Sequence, residues 1–166
     1  MAYDLLIKGG HVLDPGQGID GSRDIGITNG LIDAIELDIP ATTAKRVIQI
    51  KGDSRYVTPG LIDIHTHVAY GVTTHGVGMD SCDPDQIGVR AGVTTMLDCG
   101  SVGVANIGAL AAHVIPRAKT RIIPFVNVGS YAHTMPGFAD VNSMDEVNAE
   151  AIASCIGANP RLHQRF

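Results

Sequence analysis

Apolar residues change their rhythm once along this chain. From Tyr3 to Thr58 they fall in short runs interrupted by the turn dipeptides and tripeptide Gly9-Gly10, Asn29-Gly30 and Lys51-Gly52-Asp53. Asn29-Gly30 lies between Ile25-Gly26-Ile27 and Leu31-Ile32. That arrangement predicts a two-residue hairpin, because both turn residues accept positive φ. Residues 1–58 therefore read as a small all-β, β-sandwich-like domain, and Pro59-Gly60 closes it.

Residues 59–166 alternate strand and helix patterns. Leu61–His67 predicts a first strand. Asp83-Pro84 predicts an N-cap with proline at the first helical position, opening a short helix that Gly92 ends. Val93-Thr94-Thr95-Met96-Leu97 predicts a second strand. Ile107, Leu110, Ala111, Val114 and Ile115 form the stripe of an amphipathic helix, which Pro116 ends or kinks. Arg121–Val128 predicts a third strand, although Pro124 is unusual within one. Ser143-Met144-Asp145-Glu146 has the form of a capping box for a helix whose apolar face is Val147, Ala151, Ile152 and Cys155, with Gly157 and Pro160 as the stop.

The strand starts are separated by 93 − 61 = 32 and 121 − 93 = 28 residues. An eight-unit barrel of about 250 residues allots about 31 to each unit. The expected fold is α/β: the N-terminal part of a (β/α)8 TIM-type barrel, about three βα units, after the small β domain. A fourth strand is due near Arg161, where Arg161–Phe166 carries no apolar run.

Composition narrows the function classes. The chain has 166 residues, 45% of them hydrophobic, which is ample for a core. Formal net charge is −5 with no long basic cluster, so nucleic acid is not an expected partner. No stretch approaches the ~20 apolar residues of a membrane span, and the run at Met1–Lys8 is too short for a signal peptide. Cys82, Cys99 and Cys155 form no close pair, which fits a reducing, cytoplasmic setting.

Chemistry concentrates in Pro59-Gly60-Leu61-Ile62-Asp63-Ile64-His65-Thr66-His67. Strand side chains alternate, so Asp63, His65 and His67 share one face and Ile62, Ile64 and Thr66 the other. The two histidine Cα atoms would lie roughly 6.6 Å apart, close enough for both rings to meet one ion. In a parallel barrel the apolar face receives helices, and the inward polar face needs a partner such as a divalent cation. Neutral imidazole suits zinc, with other first-row ions open. Two surface histidines on an edge strand are the alternative. Cys99 is a second candidate ligand, set against the ordinary use of free cysteine as packing material. Asp98, Ser101 and Asn127 at the following strand ends are substrate contacts or loop caps; Tyr131 and His133 belong to the same group. His113 reads as structural, and His11, His75 and His163 carry nothing specific. Gly16-Gln17-Gly18-Ile19-Asp20-Gly21 fits G-x-G-x-x-G by letters, but no helix pattern follows it. Cys99-Gly100-Ser101-Val102-Gly103 misses the serine-hydrolase elbow at its first residue.

The Pro59–His67 run resembles the first-strand signature of the amidohydrolase superfamily, which includes dihydroorotases, allantoinases, hydantoinases and N-acyl amino acid deacetylases. Ala91-Gly92-Val93-Thr94-Thr95 resembles the entry to that family's second strand, and Lys8-Gly9-Gly10-His11-Val12-Leu13-Asp14 the opening of its small β-sandwich domain. Asp98-Cys99-Gly100-Ser101 brings the chain closest to the amidohydrolase/deacetylase branch. The resemblance implies a metal-dependent hydrolase of amide (carbon–nitrogen, non-peptide) or ester bonds in small molecules, holding one or two divalent ions. It also leaves room for a homo-oligomer in the intact enzyme. His65 and His67 match its first-strand ligands, and Asp63 is placed to orient a ring from behind them. A carboxylated lysine, two further histidines and a catalytic aspartate are implied on later strands, beyond residue 166. The expectation is thus the N-terminal portion of such an enzyme, inactive alone. A non-catalytic scaffold relative and a nonfunctional truncated fragment are the alternatives.

Overall fold

The computed structural model of the chain describes residues 2–51, 55–73, 81–134 and 140–159. The chain divides into two compact units, Met1–Pro59 and Gly60–Phe166.

The first unit is one sheet of β1 (Leu5–Asp14), β2 (Ile19–Thr28), β3 (Leu31–Glu36), β4 (Val47–Gln49) and β5 (Tyr56–Val57). Its order is β3-β2-β1-β4, with β5 also on β1. The β1–β2 and β2–β3 pairs are antiparallel; β4 and β5 run parallel to β1. Asn29 (φ 52°) and Gly30 (φ 77°) form the expected hairpin turn between β2 and β3. Gly9-Gly10 is not a turn. β1 runs straight through it, and the register with β2 shifts between Ile7 and Gly10. Gly9, at φ 74°, absorbs the extra residue as a left-handed bulge position, which glycine occupies without a Cβ penalty. Where a β-sandwich-like domain is expected, the described residues of this unit form a single sheet. Ile7, Val12, Ile25, Ile27, Ile35 and Val57 line an apolar hollow of about 250 Å³ on it. Gly52 and Asp53, assigned to a turn from sequence, lie outside the described residues.

A buried aspartate ties this sheet to its loops. Asp24 accepts from Lys8 Nζ (2.6 Å), from the N–H of Gly9 (2.7 Å) and from the N–H of Ile39 (2.8 Å). Lys8 also reaches Asp38 (2.7 Å), which is exposed, and the Ile39 carbonyl (2.9 Å). Burial alone pushes the Asp24 carboxyl up, but the Lys8 ammonium and the two backbone donors outweigh it and hold it below the ordinary carboxylate value.

The second unit contains β6 (Leu61–Thr66), β7 (Val93–Val102) and β8 (Arg121–Val126), a parallel sheet in the order β6-β7-β8. The three strands start at the three positions given by the apolar pattern. Pro124 lies on β8, which is hydrogen-bonded on one side only among the described strands, and there a missing N–H is tolerated. Between β6 and β7, α1 (Pro84–Ile87) is capped by Asp83, which accepts from the N–H groups of Asp85 (2.9 Å) and Gln86 (3.2 Å). Gly92, at φ 87°, ends the short 3-10 turn that follows. Asp85 accepts from Lys119 N, Thr120 N and Thr120 Oγ1, so α1 is fastened to the start of β8.

The predicted stripe between β7 and β8 is present, although its helix is irregular. α2 (Ile107–Ala109) passes into a π-turn at Leu110–Val114, closed by a bond from Ile115 N to Leu110 O (3.1 Å). Ile107 and Leu110 pack with Ala69 and Val102, while Val114 and Ile115 also contact the Val68, Met96 and Ile122 cluster. The capping box at Ser143 does not form. Met144–Glu146 is a 3-10 turn, and α3 (Ala149–Ala158) starts one turn later, where Asn148 Oδ1 accepts from Ala151 N (2.9 Å). Glu146 is diverted to the N–H of Asn142 (3.2 Å). Val147 consequently precedes the helix instead of lining it. Residues 161–166, where a fourth strand is due but no strand pattern is found, lie outside the described residues.

Replacing Asp24 with alanine strips two backbone N–H groups of their acceptor and should lower the unfolding free energy by about 2 kcal/mol. Asp38→Ala, on an exposed partner, should cost well under ~1 kcal/mol in the same urea titration. Asp24 is lowered by folding, so its stabilisation is present above the unfolded value of about pH 3.9 and is lost as pH falls through the lower folded value. The acid limb of the stability–pH curve should therefore flatten in Asp24→Asn.

Candidate metal centre

The site is built where β6 ends beside β7. The β6–β7 register is regular at Asp63↔Met96, shifts, and resumes at Thr66↔Asp98. Thr66 Oγ1 then donates to the Leu97 carbonyl (2.8 Å), and Val68 N donates to Asp98 Oδ2 (2.8 Å). The backbone on both sides of His67 is thus clamped to β7.

His65 and His67 meet at this end. Their ring centroids are 5.5 Å apart with planes at 69°. Two imidazoles sharing one zinc, with each nitrogen about 2 Å from the ion, place their ring centres ~5 Å apart. The pair fits half of such a donor set. His65 is exposed and His67 half-buried. Among the described residues no group of three or more His, Cys, Asp or Glu side chains gathers to hold an ion.

The neighbouring polar residues have partners of their own. His67 Nδ1 lies 3.0 Å from Ser101 Oγ, and Ser101 Oγ donates to Asp98 Oδ2 at 2.9 Å. Asp98 Oδ1 accepts from Ser101 N (2.9 Å). Asp98 is 0% and Ser101 1% exposed, so neither faces an open position where a ligand could sit. The sequence did contain a sign of this pairing. Asp98-Cys99-Gly100-Ser101 is a short acceptor, a left-handed glycine (Gly100, φ 80°) and a hydroxyl three residues on, the makings of a fold-back turn.

Asp63 accepts from the N–H of His65 (3.1 Å), a backbone group rather than an imidazole. Cys99 directs its thiol at the Ile64 carbonyl (3.4 Å). Asn127 closes the β8 end: Nδ2 donates to the Gly100 carbonyl and to Asp140 Oδ1 (both 2.8 Å), and Oδ1 accepts from Gly129 N (2.9 Å). His133 follows, buried at φ 54°, with Nε2 3.2 Å from Asp140 Oδ1. Tyr131 and His113 are exposed. His11 pairs with Asp20 (2.6 Å) in the first unit, while His75 and His163 lie outside the described residues. The opposite face of β6 departs from expectation, since Ile62 and Ile64 are 59% and 73% exposed. No described helix covers them; among the described residues the helix between β6 and β7 is the four-residue α1.

Comparison with known proteins gives consistent matches. A deacetylase of Brucella anthropi is 31% identical over 147 residues, covering 84% of this chain and 34% of the relative. A dihydroorotase of Trichlorobacter lovleyi is 31% identical over 161 residues, covering 90% and 35%. Among solved structures, a dihydroorotase superposes with TM-score 0.75 at 28% identity over 94% of this chain and 40% of its own. An adenine deaminase gives 0.70 at 28% over 95% and 39%. The chain spans about a third of the length of the curated relatives it matches. No family model matches it.

Asn127→Ala removes the bond from the end of β8 to the Gly100 carbonyl of β7, together with the bonds to Asp140 and from Gly129 N. The expected result is a loss of about 1–2 kcal/mol in stability and faster amide exchange at Gly129, read by hydrogen–deuterium exchange.

Proposed function

We propose that this chain, a member of the amidohydrolase superfamily, contributes the first-strand histidine pair of a metal-dependent hydrolase. The reaction proposed is cleavage of an amide or ester bond in a small molecule by activated water, with N-acyl deacylation as the finer assignment. The single observation that carries it is the meeting of His65 and His67, 5.5 Å between ring centres, at the C-terminal end of a parallel strand. The C-terminal ends of parallel strands are where barrel enzymes place their chemistry. The three parallel strands are read as the opening units of that barrel.

In this reading His65 and His67 each offer one ring nitrogen. A divalent ion bound there supplies Lewis-acid polarisation of the scissile carbonyl and acidifies water near neutral pH. The chain's own part is to hold and aim the two donors. Thr66 and Val68, bonded to β7, keep His67 in place, and Asp63 fixes the backbone of His65. The names of the two curated relatives, deacetylase and dihydroorotase, favour amide carbonyl chemistry over any other class.

Two donors are fewer than the three or four protein ligands a zinc site uses, so binding by this chain should be weak. Zinc titration followed by calorimetry, with cobalt as a spectroscopic substitute, should show a site in the wild-type chain. Both His65→Ala and His67→Ala should remove it. Equal metal uptake by all three proteins would refute the assignment.

A further inference from the structure

We infer that Asp98 and Ser101 are positioning residues that set the tautomer of His67, keeping its ring proton on Nδ1 and the Nε2 lone pair open. The use of that lone pair, donation to a divalent cation, rests on the function proposed above.

The assignment follows from counting protons. Ser101 Oγ carries one hydrogen and lies between two partners, Asp98 Oδ2 at 2.9 Å and His67 Nδ1 at 3.0 Å. An ionised carboxylate has only lone pairs, so the hydroxyl must donate to Asp98. The same oxygen then has only lone pairs left for the ring, and Nδ1 must be the donor. The opposite arrangement, a hydroxyl donating to Nδ1, would bring two acceptors to 2.9 Å in a site without water access. A neutral ring has one N–H. With that proton on Nδ1, Nε2 is an acceptor.

The relay is held from every side. Ser101 cannot turn its hydroxyl elsewhere cheaply, since its own N–H is also bound to Asp98 (2.9 Å) and the residue is 1% exposed. Asp98 receives a third donor from Val68, the residue after His67. The carboxylate thus fixes the ring through Ser101 and the backbone through Val68. A ring locked in this way loses less freedom when it binds. A hydrogen bond to the far nitrogen also makes the near one a better donor.

The test begins with the metal-free full chain labelled with 15N-histidine. Long-range 1H–15N correlations should show His67 with its proton on Nδ1. Ser101→Ala keeps the backbone bond to Asp98 but removes the hydroxyl. It should lose the tautomer bias and bind zinc about 10- to 100-fold more weakly, with an unchanged circular dichroism spectrum. Ser101→Thr, which returns a hydroxyl, should restore both readouts. A wild-type His67 protonated on Nε2, or a Ser101→Ala chain with the wild-type tautomer and zinc affinity, overturns the inference; neither reading depends on the threonine variant folding. A wild-type chain with the Nδ1–H ring and no zinc binding refutes the metal centre and leaves the tautomer assignment supported.

Discussion

Asp98 is the constraint on which the second unit's strand ends depend. A carboxylate with no solvent access must find its hydrogen bonds inside the protein, and it finds them from Val68 N, Ser101 N and Ser101 Oγ. Those donors come from two different strand ends. Satisfying one buried group therefore fixes the separation of β6 and β7 at the place where the histidines emerge. Removing any of the three donors leaves part of a buried charge unmet, a larger penalty than the loss of an ordinary surface bond.

Local signals were legible in the sequence, and long-range ones were not. The Asn29-Gly30 hairpin, the Asp83 cap, the α2 stripe and the three strand starts each depend on residues within a turn or two of one another. Their physics is contained in a short window. Gly9-Gly10 was misread because a glycine pair serves a turn and a bulge equally well, and the choice is made by β2 opposite. At Ser143 two caps compete, and Asn148 wins because Val147 is drawn into a bridge with Gly129. For the candidate site, the histidine pair could be read from alternation alone. The Ser101–His67 contact spans 34 residues and depends on the irregular register after Asp63. No local pattern encodes it.

Both units use the same device with different chemistry. Asp24 gathers two backbone N–H groups and a side-chain donor, as Asp85 gathers Lys119 N, Thr120 N and Thr120 Oγ1. In each case an aspartate joins segments distant in sequence. Asp24 has the Lys8 ammonium as one of its donors, so its charge is neutralised on the spot. Asp85 is not fully buried, and water shares the work of solvating it.

Asp98 has neither help among the described residues. Among the described residues its three donors are all neutral, and the residue is 0% exposed. Neutral hydrogen bonds compensate only part of the solvation a buried carboxylate loses. Ser101 Oγ, then the half-buried His67 ring with exposed His65 beside it, lead outward from Asp98. The carboxylate that organises the strand ends and the donors that emerge from them are two ends of one arrangement.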